Sequence, residues 1–193
     1  MNNSMSALQE TQDNKKYADF AKRLKGFAFD YLIIISYVVF LAGATLAVSK
    51  IAGILGLSLR WPENPIIADL IAFLTLILPV LLYFTLQESS PKQATWGKRK
   101  AGIRVVNANG GMLTRRQAFA RSLIKLLPWQ IAHTCIFQIG GFTSTSGELS
   151  PLVITGFALV YLLVGIYIAS ILLTKKHQTP YDWISGSYII IAH

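Results

Sequence analysis

Long apolar stretches constrain this sequence more than any other feature, because each has the length that a bilayer requires. Three of them are continuous, at residues 27–48, 66–86 and 152–173. A transmembrane helix needs about 20 mostly apolar residues, so each stretch predicts one span. A fourth stretch, at residues 123–142, is long enough but more polar. Hydrophobic residues make up 53% of the chain against 14% charged residues, which excludes an ordinary soluble domain.

The positions of lysine and arginine predict how the spans are oriented, because cytoplasmic loops hold an excess of these residues. With four spans and a cytoplasmic N-terminus, all but two of the 18 lie on the cytoplasmic side, the exceptions being Lys50 and Arg60. A three-span interpretation would instead export Lys175 and Lys176. We therefore expect an all-α membrane protein, a four-helix transmembrane bundle of the inner cell membrane with both termini in the cytoplasm.

Charge and polarity also predict how the chain is divided. Residues 1–16 are polar, so we expect a disordered cytoplasmic tail there. Residues 17–193 form the membrane domain, in which a basic cytoplasmic segment, residues 87–122, separates the second span from the third. Residues 174–193 are expected to form a second cytoplasmic segment. The net charge of +9 then indicates contact with anionic lipid head groups.

Two short β-branched runs predict a small cytoplasmic sheet. The first, IRVV at residues 103–106, precedes an Asn-Gly-Gly turn at residues 109–111. The second, SYIIIAH at residues 187–193, is too short to cross a bilayer. Pairing the two runs would satisfy their backbone donors and acceptors. It would also bring Asp182 to the cytoplasmic end of the bundle.

Thr114 and Gln117 have the spacing of a capping box, which predicts the start of a helix. Beyond them, Arg121 and Lys125 lie four residues apart beside recurring apolar residues, a pattern typical of an interfacial helix in the headgroup layer. Pro128 is expected to kink the chain into the third span. We predict lipid-headgroup contacts for six basic residues: Lys98, Arg99, Arg115, Arg116, Arg121 and Lys125.

An acid within the first apolar stretch predicts a charge site. Asp30 falls about one turn into the span, where an ionised carboxylate must face protein or water. Arg23 shares its helix face within about 20°, but the two lie about 10 Å apart along the helix axis and cannot easily touch. A second acid, Asp182, could therefore pair with Arg23 while Asp30 takes another role.

Three segments resemble the signature blocks of the RDD family, small multi-span membrane proteins named for one arginine and two aspartates. They are KRLKGFAFD at residues 22–30, ATWGKRKAGIRVVNANGG at residues 94–111 and HQTPYDWISGSYII at residues 177–190. The segments follow in the family's order with apolar stretches between them. The resemblance therefore covers nearly the whole chain.

The resemblance also assigns residues. It implies that the family's arginine is Arg23, that its two aspartates are Asp30 and Asp182, and that its central Gly-Lys-Arg is at residues 97–99. Three positions depart from the usual pattern: Tyr181 stands where many members have histidine, Trp183 where a basic residue is common, and Lys100 where leucine is usual.

The RDD family is usually presumed to act in transport, so the resemblance implies a transporter or ion-coupled exchanger of a small solute or cation. Two carboxylates and an arginine can bind and release protons or cations, because like charges raise the pKa of a carboxyl group and an arginine lowers it. Alternatively, Arg23, Asp30 and Asp182 only tie the helix ends to the C-terminal strand. The residues alone leave both interpretations open.

The third predicted span has a polar face. Gln130, Thr134 and Gln138 recur every four residues, with His133 beside them. These side chains could line a pathway, in which His133 would titrate near neutral pH. They could equally form hydrogen bonds between helices, worth about 0.6 kcal/mol each in membranes.

The remaining expectations concern partners and chemistry. The basic segment suggests an alternative function, a non-catalytic scaffold that recruits protein partners, and four spans leave so little room for a pathway that transport favours a homo-oligomer. No nucleic-acid motif is present. We expect no enzyme, cofactor or metal site, because the sequence has three histidines, one cysteine and no recognisable nucleophile with its base.

Overall fold

The computed structural model describes residues 17–58, 60, 62–142 and 149–192, so the disordered tail predicted at residues 1–16 lies outside the described residues. The described part is mostly helical. Its elements follow in the order α1 (Phe20–Ile54), α2 (Pro65–Glu88), α3 (Trp96–Lys100), β1 (Ile103–Asn107), α4 (Arg115–Phe142), α5 (Pro151–Leu173), α6 (Pro180–Ile184) and β2 (Ser187–Ile191).

Within the described ranges, three helices are long and apolar enough to cross a membrane. They are α1, α2 and α5, with 35, 24 and 23 residues. Their outward surfaces carry large apolar side chains, such as Phe40 and Tyr161, which are 71% and 76% exposed. Such surfaces are stable against hydrocarbon and not against water. The three continuous apolar stretches of the sequence are therefore confirmed as long apolar helices.

Helix α4 corrects one expectation. The predicted interfacial helix and the predicted third span, residues 123–142, are parts of one continuous helix of 28 residues with Pro128 inside it. A proline removes only one backbone hydrogen bond, and packing against α2 and α5 on both sides of it holds the helix together. Unlike α1, α2 and α5, α4 is not apolar enough to be identified as a span by composition.

The two β-branched runs form the predicted sheet. Strands β1 and β2 are antiparallel, with Ile103 opposite Ile191 and Asn107 opposite Ser187. The N-terminal end of the described chain joins them, since Tyr17 forms an isolated bridge with Ile190. The sheet therefore gathers three distant parts of the chain on one side of the helices.

The start of α4 follows the predicted capping box. The backbone N–H of Gln117 donates to the Thr114 hydroxyl over 3.2 Å, and the backbone N–H of Thr114 donates to the Gln117 amide oxygen over 3.0 Å. Two backbone donors are thereby satisfied reciprocally. The side-chain nitrogen of Gln117 also donates to the carbonyl of Ser185 over 3.2 Å. This contact fixes α4 beside α6.

Two apolar clusters hold the elements that surround the site. One lies beneath the sheet and contains Ala18, Ile103, Val105, Leu113, Ala118 and Ile189. The other joins α2 to α4 and contains Val80, Leu81, Phe84 and Leu126. Charged side chains adjoin both clusters, because Arg23 donates to the carbonyl of Ala18 and the amines of Lys98 and Lys125 lie over the ring of Phe84.

A buried charge cluster as the candidate functional site

Six charged side chains meet where α1, α2, α3, α4 and α6 converge. All are buried or nearly so, although side chains of this kind are almost never fully buried unless they are paired. We call them the charge cluster: Arg23, Glu88, Lys98, Arg121, Lys125 and Asp182.

Asp182 is one centre of the charge cluster. Nη1 of Arg23 donates to its Oδ2 over 2.9 Å, and Nη1 of Arg121 donates to its Oδ1. The backbone N–H of Thr179 also donates to Oδ2 over 3.0 Å, so the carboxylate stabilises the first turn of α6. Asp182 is fully buried. It therefore links α1, α4 and α6 through charge-assisted hydrogen bonds, which are the strong ones.

Glu88, the last residue of α2, is the other centre. Its Oε2 accepts from Nε of Arg121 over 2.8 Å, and its Oε1 accepts from Nζ of Lys98 over 2.9 Å. Nζ of Lys125 lies 3.7 Å from Oε1. Glu88 has no solvent exposure. Arg121 thus bridges the two buried acids, since it contacts both Glu88 and Asp182.

Asp30 has a separate set of partners. Its Oδ1 accepts from the Tyr83 hydroxyl over 2.9 Å and from the backbone N–H of Gly97 over 2.8 Å. Its Oδ2 accepts from the Thr95 hydroxyl over 2.5 Å. The structure therefore joins Arg23 to Asp182 and leaves Asp30 bound to neutral donors of α2 and α3.

The hydrogen bonds of Asp30 require a glycine at position 97. Helix α3 approaches α1 so closely that a Cβ atom on Gly97 would lie 2.6 Å from the backbone nitrogen of Asp30 and 2.7 Å from its carboxyl carbon. Real Cβ atoms essentially never approach other atoms so closely. The absent side chain lets the backbone of α3 donate directly to a carboxylate on α1.

Aromatic rings surround the cations of the charge cluster. Nζ of Lys125 lies 3.0 Å from the ring centroid of Phe84, and Nζ of Lys98 lies 5.4 Å from the same centroid. The guanidinium carbon of Arg121 lies 5.0 Å from the ring centroid of Tyr181. The ring faces carry partial negative charge and so stabilise these cations in a desolvated site.

Positive charge exceeds negative charge in this region. Arg23, Lys98, Arg121 and Lys125 supply four cations. Glu88, Asp182 and the nearby Asp30 supply three carboxylates. Nη2 of Arg23 is buried and has no hydrogen-bond partner among the described residues. Counted formally, the region therefore has one more basic than acidic side chain, and it has one donor without a partner among the described residues.

The lipid-headgroup prediction is wrong for three of its six residues. Lys98, Arg121 and Lys125 point into the protein, with side chains 10%, 1% and 17% exposed. Arg121 and Lys125 do share a helix face, as their spacing indicates. That face packs on Glu88 and so cannot lie in the headgroup layer. The other three residues of the set are exposed and keep the prediction: Arg99, Arg115 and Arg116.

Glu88 is the main residue that the sequence interpretation missed. A signal was present, because Glu88 is the only acid among the basic residues of the segment at residues 87–122. A single acid beside many cations is a natural centre for ion pairs. Tyr83 and Thr95 were also missed. Neither carries a local signal, since only the fold brings their hydroxyl groups to Asp30.

The polar face of α4 lies partly against Asp69 of α2. The Thr134 hydroxyl donates to Oδ2 of Asp69 over 2.8 Å, and the Gln130 amide donates to Oδ1 over 3.3 Å. These two residues therefore form hydrogen bonds between helices. His133 instead lines the cavity described below. Gln138 carries an amide oxygen without a hydrogen-bond partner among the described residues.

A cavity of about 860 Å³ adjoins the charge cluster. It lies between α1, α2, α4 and α5, and its walls are mostly apolar. Five charged residues line one end of it, the acidic Asp30 and four basic residues: Arg23, Lys98, Arg121 and Lys125. The arrangement can hold a negative group at one end and apolar groups along the walls. Among the described residues, no group of three or more His, Cys, Asp or Glu is placed to hold a metal ion.

Comparison with known proteins identifies a family for the chain. The model of the RDD family matches residues 17–186, which include every member of the charge cluster and Asp30. No curated protein matches the chain, and no solved structure matches it.

Proposed function

The chain belongs to the RDD family, and from this premise we propose that it is a four-span protein of the inner cell membrane that transports an anionic solute. The family and the three long apolar helices make it a membrane protein. We propose three further properties: a fourth span, a cytoplasmic position for both termini, and the transport of an anion. The charge cluster is the site at which the solute binds.

The sheet supports four spans. A sheet cannot extend through a bilayer without leaving backbone groups unsatisfied, so both strands lie on one side of the membrane. Helices α4 and α5 connect β1 to β2. If α5 crosses, the chain must cross a second time to return to the sheet, and α4 is the helix available. The excess of lysine and arginine on that side of the membrane favours a cytoplasmic position for the sheet.

The observation that carries the transport proposal is the uncompensated positive charge at the end of the cavity. Four cations face it, and Nη2 of Arg23 has no partner among the described residues. Inside a membrane protein, ionisable side chains mark the paths of ions and substrates. An anion would satisfy both the spare charge and the spare donor.

The same geometry gives less support to a cation or proton exchanger. Both oxygens of Asp182 are bound by arginines, and Asp30 accepts three hydrogen bonds from neutral donors. A cation at Asp182 would have to displace Arg23 or Arg121. We therefore assign Asp182 to holding the arginines in place and Asp30 to holding α1 against α2 and α3, rather than assigning either to carrying the solute.

Flux into proteoliposomes tests this proposal. We expect the full chain to take up labelled acetate, phosphate or succinate in a saturable way, and not sodium. Lys125→Gln should reduce the uptake by about tenfold, the loss expected for one hydrogen bond to a charged group. Arg116→Gln is the matched control, because Arg116 lies on the same helix but is exposed.

Uptake of sodium without any anion, or equal uptake by Lys125→Gln, would contradict the proposal. Retention volume in detergent checks that each variant is folded.

The exposed basic side chains Arg99, Arg115 and Arg116 favour a second candidate function, a scaffold that recruits protein partners or a second copy of the chain. A folded protein that transports none of the four ions would support that candidate.

A further inference from the structure

The cavity has the size of a small-molecule site. Such sites occupy about 300–1,000 Å³ and combine apolar walls with a few placed polar groups. The cavity beside the charge cluster measures about 860 Å³. A small inorganic anion would occupy only its charged end. The remaining volume needs an apolar occupant.

The apolar walls come from all four long helices. Side chains such as Phe27, Ile34, Val38, Val164 and Ile168 line it. Hydrocarbon is the natural partner of these groups, because a polar occupant would lose its hydrogen bonds against apolar walls and a hydrocarbon chain has none to lose. The walls therefore favour an elongated hydrocarbon chain.

Arg23 supplies the donor at the charged end. Its Nε donates to the carbonyl of Ala18 over 3.2 Å, and its Nη1 donates to Asp182. Nη2 is left without a partner among the described residues, although the side chain is only 6% exposed and lines the cavity. Buried polar atoms are nearly always hydrogen-bonded, so this donor indicates a ligand acceptor. An oxyanion fits a guanidinium best.

The charge count sets the charge of the head group. Counted formally, four basic residues and three carboxylates leave one positive charge, which a singly charged anion neutralises. The other titratable side chains that line the cavity are Tyr31, His133, Tyr167 and Tyr181.

We propose that the cavity binds an acidic amphiphile from the bilayer, with a singly charged oxyanion head group at Nη2 of Arg23 and one hydrocarbon chain along the apolar walls. This inference rests on the proposed function, because it names the substrate class of the same site. The amphiphile is taken from the membrane, the phase in which such molecules are concentrated.

Binding to the full chain in nanodiscs of neutral phosphatidylcholine tests the inference. Dodecanoate is the probe, measured by titration calorimetry at alkaline pH, where its carboxyl group is ionised. Empty nanodiscs give the partition of the probe into lipid. We expect saturable binding of dodecanoate, and binding at least about tenfold weaker both for dodecanol, which lacks the charge, and for acetate, which lacks the chain.

A cavity variant keeps the test independent of the charge cluster. Val164→Trp should weaken dodecanoate binding by about tenfold, because the indole ring takes up space that the hydrocarbon chain would occupy. Leu162→Trp is the matched control, because Leu162 lies on the same helix but outside the cavity wall. Arg23→Lys should weaken binding by about tenfold through loss of the guanidinium donor.

Equal binding of dodecanoate and dodecanol, or unchanged binding by Val164→Trp, would overturn the inference. The test also separates it from the proposed function. Dodecanoate that binds without any anion flux supports the inference and rejects transport. Saturable flux of small anions in a protein that does not bind dodecanoate supports transport and rejects the inference.

Discussion

At the scale of single residues, a close approach of two backbones lies between Gly97 and Asp30. The glycine lets the backbone of α3 reach the carboxylate, and Tyr83 and Thr95 complete its hydrogen bonds. A carboxylate with three good donors is held in one position, which in turn fixes α1 against α3. Gly43 lies further along α1, and a Cβ atom added there would meet no other atom within 4 Å.

The two glycines therefore respond differently to an added methyl group. Gly97→Ala should lower the free energy of unfolding by about 1–3 kcal/mol, because α1 and α3 must separate. Gly43→Ala should leave it unchanged or raise it by about 0.5–1 kcal/mol through helix propensity. Denaturant unfolding in detergent, followed by circular dichroism, measures both. Equal midpoints would contradict the close contact.

At the scale of elements, Glu88 and Asp182 place the ends of helices. Glu88 at the end of α2 contacts cations of α3 and α4, and Asp182 at the start of α6 contacts cations of α1 and α4. Arg121 belongs to both sets. A buried charge is costly unless it is paired, so these contacts specify how the elements meet more than they add net stability.

A double-mutant cycle tests this coupling. Glu88→Gln should lower the free energy of unfolding by about 3–5 kcal/mol, because it leaves buried cations unpaired. Adding Lys98→Met should recover part of the loss, with a coupling energy of about 0.5–3 kcal/mol. Glu63→Gln, at an exposed acid, is the control and should not change stability. Losses that simply add would show that Glu88 and Lys98 are not coupled.

At the scale of the whole molecule, the small sheet constrains the path of the chain. It joins Tyr17, β1 and β2, which are separated by two pairs of long helices. Each pair must begin and end on the same side of the membrane. If α5 crosses the membrane, this parity requires α4 to cross it as well, as in the proposed four-span topology, even though its composition does not identify it as a span.

Thiol labelling in intact cells tests the parity, with Cys135→Ala as the background. Single cysteines are placed at Asn109 in the turn after β1, at Lys176 after α5, and at Glu63 between α1 and α2. We expect an impermeant thiol reagent to label the Glu63→Cys variant in intact cells. The variants Asn109→Cys and Lys176→Cys should react only after permeabilisation. If Asn109→Cys and Lys176→Cys differed from each other in labelling, the two positions would lie on opposite sides of the membrane, and α4 would not cross.

Some of the site could be predicted from the sequence. Arg23, Asp30 and Asp182 were found because charge is unexpected in or beside apolar stretches, and β1, β2 and the Thr114 capping box were found from local patterns. Lys98, Arg121 and Lys125 were also singled out, but the sequence predicted that their side chains face the lipid head groups, whereas they face the protein interior. A basic side chain on an amphipathic helix has the same pattern whether it faces lipid head groups or a buried acid.

The sequence by itself determined the membrane environment, the long apolar helices, the strand pair and the family, because each depends on composition or on patterns read along the chain. Only the tertiary structure decided which charges meet, that Asp30 is bound by neutral donors, and that Arg23, which lines a cavity, keeps one donor without a partner among the described residues. Those facts depend on distances between residues far apart in the chain. No local pattern encodes them, because a buried ion pair is defined by its partner.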